Sequence, residues 1–186
     1  MSDLTHEEKT AMMGLKNMGA PRKSAKNVFT APKNLTLPTS VNWVTVTPAV
    51  VNPVKDQGQC GSCWSFASTA VMESSHAITT GTLLSLSEQN LVSCSFLQGN
   101  LGCNGGWYYY AWNYAANKPL MTEADYPYTS GTTTKSGSCT YDRTKGVVSS
   151  LQQTDVATDT NSIMAAIVQQ PQAVAIEADT AYFQTY

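Results

Sequence analysis

Between Gln57 and Phe66 the chain reads Gln57-Gly58-Gln59-Cys60-Gly61-Ser62-Cys63-Trp64-Ser65-Phe66. A glycine-flanked loop runs there into an apolar-periodic segment, which puts Cys63 in the first turn of a predicted helix. A helix start presents N–H groups without intrahelical acceptors and the positive end of the macrodipole. Both favour thiolate over thiol. A thiolate is the nucleophile that acyl transfer requires. Its attack on a carbonyl makes an oxyanion, which needs preorganised donors. The Cys63 backbone N–H is one candidate donor. The side-chain amide of Gln57, six residues upstream across a flexible loop, is a second.

Four further cysteines, Cys60, Cys94, Cys103 and Cys139, restrict the alternatives. An odd count allows two disulfides with one free thiol, a metal site, or reduced cysteines. Zinc wants two close pairs, or Cys with His at ligand spacing. Cys60-x-x-Cys63 is the only close pair, and the two histidines, His6 and His76, do not complete a set, so no metal and no cofactor are expected. Two disulfides imply an oxidising compartment. The polar opening Met1-Ser2-Asp3-Leu4-Thr5-His6-Glu7-Glu8-Lys9 is unlike an export signal. The chain therefore reads as a piece of a longer precursor. Cys60-x-x-Cys63 also admits a thiol–disulfide oxidoreductase. Such a motif should follow a buried strand, whereas Asn52-Pro53-Val54-Lys55-Asp56 precedes this one.

Several elements must position these residues. Apolar positions Phe66, Ala67, Ala70, Val71, Ala77 and Ile78 predict a long helix from Cys63 to Thr79, with Gly81 as its stop. Ser87 caps a second short helix, with Glu88 as a helix-end charge. Residues 107–117 predict a third helix and 159–170 a fourth, each closed by a nearby proline. His76 reads as a surface or half-buried helix residue. Val41 to Val46 alternates as an extended segment, residues 129–140 read as a loop, and Ala173 to Ile176 reads as a buried strand. At the N-terminus, Thr5 and Glu8 form a capping box. Leu4, Met12, Leu15 and Met18 supply one apolar stripe, and a proline- and lysine-bearing connector follows. Asn34-Leu35-Thr36 is a glycosylation acceptor sequence.

Composition narrows the function classes. The 186 residues are 42% hydrophobic, enough for a core, with no run of 18 apolar residues to cross a membrane. Eleven Lys and Arg against thirteen Asp and Glu leave a formal net charge of −2, which offers no basic face for nucleic acid or anionic lipid. Nine Tyr and four Trp suit a surface that grips extended ligands.

Cys60-Gly61-Ser62-Cys63-Trp64 resembles the papain family of cysteine peptidases, whose nucleophile signature is C-G-[SA]-C-[WY]. Further blocks resemble the family in order, and a cathepsin L-like member in kind. Leu37 to Trp43 resembles its mature N-terminus. Leu86-Ser87-Glu88-Gln89-Asn90-Leu91-Val92-Ser93-Cys94, Gly102-Cys103-Asn104-Gly105-Gly106 and Tyr126-Pro127-Tyr128 follow, and residues 1–36 resemble the end of its inhibitory propeptide. The resemblance implies an α+β, two-half fold over residues 37–186. A helical half would span about 47–150, and an incomplete β-barrel-like half would begin at 151. It implies Cys63 as nucleophile and Gln57 as oxyanion-hole amide. It implies disulfides Cys60–Cys103 and Cys94–Cys139. Gly105 and Gly106 would let a substrate backbone approach, Gly106 pairing with it like an added strand. Trp107 and Tyr108 would wall the pocket for the second residue before the cut, with Ala175 opposite. The implied partners are peptide or protein substrates, the chain's own propeptide and cystatin-like inhibitors. The implied state is a monomer in a lysosomal, vacuolar or extracellular space.

The family's histidine base and its orienting Asn lie about 130–150 residues after the nucleophile, at about position 193 to 213 here. His76 lies thirteen residues further along the same predicted helix, about 20 Å from Cys63 at 1.5 Å per residue. His6 falls in the propeptide-like stretch. The chain as it stands is therefore expected to have negligible peptidase activity. A non-catalytic homologue that binds peptides or inhibitors is the alternative reading.

Overall fold

A computed structural model describes residues 4–14, 27–150, 153–180 and 182–183. Along them run helix α1 (His6–Ala11), strand β1 (Val28–Phe29) and helices α2 (Cys63–Thr80), α3 (Glu88–Cys94), α4 (Tyr108–Asn117) and α5 (Ser130–Thr133). Strand β2 (Asp155–Val156) and helix α6 (Thr160–Gln169) follow. The stripe positions Leu15 and Met18 lie outside the described residues.

The helix ends follow side-chain chemistry. Thr5 and Glu8 close a capping box at α1. Ser87 accepts from the Asn90 N–H at α3, and Asp159 from the Ser162 N–H at α6. Each cap supplies an acceptor for an otherwise orphaned donor. Gly81 ends α2 at φ 76°, in the left-handed region that favours a residue without Cβ.

Helix α2 packs against both α3 and α4. The core there joins Cys60, Trp64, Met72, Leu86, Leu91, Tyr114 and Leu120. Of the predicted apolar stripe, α2 buries only Ala77, and its buried face is otherwise set by other residues. Ser65, Ser68, Thr69, Glu73 and Ser74 are buried, while Ile78 is 42% exposed. The hydroxyls make this possible by bonding back to their own helix: Ser65 Oγ to the Ser62 carbonyl at 2.8 Å and Ser68 Oγ to the Trp64 carbonyl at 2.6 Å. A satisfied hydroxyl is cheap to bury, and a small side chain lets a neighbouring helix come close.

Two disulfides, Cys60–Cys103 and Cys94–Cys139, tie the loops around these helices. Each closes a long loop and should contribute about 2–4 kcal/mol by restricting the unfolded chain.

Three expectations are corrected. Val41 to Val46 is not extended throughout: Trp43–Thr45 forms a 3-10 turn that Asn42 caps by accepting from the Val44 N–H. The loop at 129–140 opens with the turn of α5, pinned by the buried Gln89 amide, whose oxygen accepts from the Ser130 N–H at 3.0 Å. Ala173 to Ile176 is neither a strand nor buried; Val174 is 72% exposed. An apolar run becomes a strand only when a neighbour offers it a ladder. Among the described residues the one sheet is the parallel pair β1–β2, with Val28 against Asp155 and Phe29 against Val156.

Candidate active site

Cys63 is the free, half-buried first residue of α2. Its placement comes from the loop before it. Gly58 has φ 56°, and its N–H donates to Asp56 Oδ1 at 2.8 Å. A Cβ there would lie 2.6 Å from the Gly131 carbonyl oxygen, so turn and close approach both require glycine. The Gln59 N–H donates to that Gly131 carbonyl at 3.0 Å, and the Gly61 N–H to the Cys103 carbonyl at 2.9 Å.

Tyr128 fastens the two ends of this loop. Its hydroxyl donates to the Gln57 carbonyl at 2.8 Å. It lies 2.7 Å from Ser62 Oγ, which is left as the donor of that pair. One phenol thus joins the backbone of Gln57 to the residue before Cys63. Phe66, one turn into α2, meets the Tyr128 ring edge-on at 5.0 Å. Burial raises the Tyr128 pKa, which keeps the hydroxyl a donor.

Gly105 and Gly106 run past the start of α2. Gly105 has φ 120°. A Cβ on Gly106 would lie 2.6 Å from the Trp64 ring and 2.5 Å from Asn100 Oδ1. The same Asn100 oxygen accepts from the Trp107 N–H at 2.8 Å, and its amide donates to Ser95 Oγ at 2.9 Å. Asn100 therefore sets the path of the Gly105–Trp107 backbone, a role that no sequence pattern marks. Trp107 and Tyr108 are half-buried at the start of α4, their rings edge-on at 5.9 Å. Burial raises the Tyr108 pKa, with a smaller push from Asp155. Ala175 lies in an exposed irregular stretch, and among the described residues no hydrogen bond links it to this cluster.

Residues 12–14 of the chain itself lie against this cluster. Gln57 Nε2 donates to the Met12 carbonyl at 2.7 Å and to the Cys60 carbonyl at 2.8 Å. The Gly106 N–H donates to the Gly14 carbonyl at 2.9 Å. Gly14 is buried so closely that a Cβ would meet the Gly61 carbonyl and lie 2.9 Å from Cys63 Sγ. Cys63, Gln57 and Gly106 therefore converge on one backbone segment, residues 12–14. No pattern in the sequence pointed to these residues as the ones in contact.

Beneath the loop sits a buried ionic cluster that sequence reading also missed. Lys55 Nζ lies 2.8 Å from Glu73 Oε1 and 2.8 Å from Glu88 Oε1. The Leu86 N–H donates to Glu73 at 2.8 Å, and Thr69 Oγ1 to Glu88 at 2.6 Å. Burial works against the Lys55 ammonium, but the two carboxylates outweigh it and raise its pKa. Glu88 is thus a buried partner and not a solvated helix-end charge.

Comparison with known proteins agrees with this geometry. Residues 37–186 match the profile of the papain family cysteine proteases. The chain belongs to the papain family. It is 41% identical over 189 residues to digestive cysteine proteinase 2 of Homarus americanus, covering 99% of this chain and 56% of that relative. It is 37% identical to procathepsin L of Mus musculus, covering 99% of this chain and 53% of that one. Among solved structures, digestive procathepsin L 3 of Tenebrio molitor larval midgut matches with TM-score 0.70 at 34% identity, over 88% of this chain and 50% of that one. The fold is therefore the papain-like α+β fold, and the relatives are cathepsin L-like. The chain spans about half the length of the curated relatives it matches.

Cys63 is the free cysteine among the described residues. Cys60 is bridged to Cys103, so Cys60-x-x-Cys63 is not a dithiol, and the oxidoreductase reading falls. Neither histidine is placed to serve Cys63. His76 lies thirteen residues along α2, about 20 Å away by helical rise. His6 opens α1 and is exposed.

Proposed function

We propose that this chain carries the nucleophile half of a cysteine endopeptidase held in its inhibited proenzyme form. The observation that carries the reading is the convergence of the Gln57 amide, the Gly106 N–H and Cys63 on residues 12–14. A groove that binds backbone through its own N–H groups recognises extended peptides of many sequences.

In the proposed reaction the Cys63 thiolate forms a C–S bond to the scissile carbonyl carbon. The carbonyl oxygen takes the negative charge and is held by the Cys63 N–H and Gln57 Nε2. The C–N bond then breaks, and the amine leaves with a proton from the general acid. Water hydrolyses the thioester. The first two roles belong to residues of this chain. The acid–base role does not fall to His6 or His76, so these 186 residues alone are expected to turn over no substrate.

The bound segment has the wrong polarity to be cut. A substrate whose scissile carbonyl sits at Gln57 and whose earlier residues pair with Gly106 runs from Gly106 towards Gln57. Residues 12–14 run from Gln57 towards Gly106. They fill the groove with a reversed backbone, so they block it and survive. Residues 1–36 act in this reading as an inhibitory segment and residues 37–186 as the peptidase domain. The substrates are peptides or proteins. The compartment is oxidising, as two disulfides require, and lysosomal, vacuolar or extracellular.

The test uses a peptidyl chloromethyl ketone on the intact chain and on chain cut in the linker at 30–37. Saturable alkylation of Cys63 after the cut, and its absence before, is expected. Alkylation that never saturates, or that is equal in both forms, refutes the groove.

A further inference from the structure

The linker between the groove-filling segment and the peptidase domain carries a feature that catalysis does not use. Asn34-Leu35-Thr36 is the only place in the chain where Asn is followed two residues later by Ser or Thr with no intervening Pro. A transferase reads the hydroxyl of the third residue and needs the Asn side chain displayed in an accessible turn. Both conditions hold here. The Leu35 N–H donates to the Pro32 carbonyl at 3.2 Å, closing a turn with Asn34 in it. Residues 32–36 are all exposed.

The turn is held in position on both sides. Upstream, β1 pairs with β2, and the Ala31 N–H donates to Ser162 Oγ at 2.9 Å. Downstream, Trp43 Nε1 donates to the Ile167 carbonyl at 2.8 Å. Between these anchors the chain offers Lys33, Asn34 and Leu35 to solvent. The two disulfides place folding in an oxidising compartment, where oligosaccharide transfer to nascent chains takes place in eukaryotes such as those that supply its relatives.

We propose that Asn34 is an N-glycosylation site and that its glycan shields the linker from the cut that frees residues 12–14. The donor is a polyisoprenyl-pyrophosphate-linked oligosaccharide. The Asn34 amide nitrogen forms a bond to the anomeric carbon, the bond from that carbon to the pyrophosphate breaks, the lipid pyrophosphate leaves, and one amide proton is lost to base. A cutting protease must take several linker residues in extended form. A branched sugar in the middle of residues 30–37 denies it that stretch. The second half of the proposal, shielding, rests on the reading of residues 1–36 as a removable inhibitor. The first half, the modification, does not.

The experiment expresses the full chain behind a secretion leader in a eukaryotic host and maps Asn34 by mass before and after peptide-N-glycosidase. Occupied Asn34, converted to Asp by the enzyme, is expected. Occupancy should persist in Thr36→Ser and vanish in Thr36→Ala and Asn34→Gln. Unmodified Asn34 in secreted wild-type chain overturns the proposal. A limited-proteolysis time course then compares the glycosylated chain with Asn34→Gln. Cleavage within 30–37 that is several-fold faster in the variant supports shielding, and equal rates overturn it. Occupancy is read by mass alone, so it stands or falls separately from whether Cys63 attacks peptides.

Discussion

In the proposed proenzyme, Gly14 is a position at which inhibition is open to attack. In Gly14→Val the new Cβ would meet the Gly61 carbonyl and lie 2.9 Å from Cys63 Sγ. The first of these is fixed backbone, so the segment itself must lift. Overpacking of this kind costs about 1–3 kcal/mol. Lifting also stretches the 2.9 Å bond from Gly106 to Gly14 and the 2.7 Å bond from Gln57 to Met12. Those contribute about 0.5–1.5 kcal/mol each. A total near the bottom of these ranges, about 2 kcal/mol, opens the groove roughly thirtyfold more often, at 1.4 kcal/mol per factor of ten. The assay is carbamidomethylation of Cys63 by iodoacetamide under native conditions, followed by peptide mass mapping. It is unambiguous because the other four cysteines are bridged. The variant should label about thirtyfold faster than wild type or more, and chain cut in the linker should set the ceiling. An unchanged rate in Gly14→Val, with unchanged circular dichroism and disulfides, would refute the reasoning, because Cys63 would then not be guarded by residues 12–14.

Lys55→Met should destabilise the chain by about 3–5 kcal/mol in urea melts, since it strands two buried carboxylates that share one ammonium; a loss below 1 kcal/mol would mean the carboxylates are solvated. Tyr128→Phe keeps the edge contact with Phe66 but loses the bridge between Gln57 and Ser62. It should cost about 1–2 kcal/mol of stability and should change the Cys63 alkylation rate of linker-cut chain; no change in either would show the bridge to be idle. Burial pushes Tyr114 up to about 12, so the unfolded chain releases this proton first as pH rises past about 10. Stability should therefore fall between about pH 10 and 12, by up to about 1.4 kcal/mol per pH unit from this group. The raised pKa of Lys55 acts in the same direction, because its ion pairs are complete at neutral pH and are lost as pH rises through its folded value. Tyr114→Phe should flatten the alkaline limb seen by urea melts; an identical slope would count against a buried phenol.

What the sequence revealed was chemistry that is local along the chain. Ser87, Asp159 and the Thr5–Glu8 pair announce helix starts because a cap needs only its own next three residues. Gly81 announces a stop for the same reason. The loop that presents Cys63 was legible because its glycines, its cysteines and Gln57 are neighbours. Contacts made across the chain were hidden. Lys55 meets Glu88 over 33 residues, and Gln57 meets Met12 over 45. Nothing in periodicity marks such a pair. The buried face of α2 misled for a different reason: hydroxyls that bond their own helix are scored as polar yet bury well. Ala173 to Ile176 misled because apolarity alone does not supply a neighbouring strand.

The contacts that fill the groove are individually weak, and this points to where control must lie. Two backbone-type hydrogen bonds and one glycine fit would hold a free peptide poorly. In the proposed proenzyme, residues 12–14 hold because they are tethered. Joining a binding segment to its own site raises its effective concentration, to millimolar order for short links, with no added contact. In the proposed proenzyme a cut at 32–35 weakens that advantage, and the segment leaves once the β1–β2 pair and the Ala31–Ser162 bond upstream of the cut also release. The contacts need only be strong enough to work while joined, and weak enough to fail once severed. A stronger inhibitor, made by filling out Gly14 or adding charge, would outlast the cut and leave Cys63 closed. In that proposal regulation lies at the exposed turn at 32–35 and not in the groove. A modification at Asn34 would act on that turn and leave the contacts at Cys63 untouched.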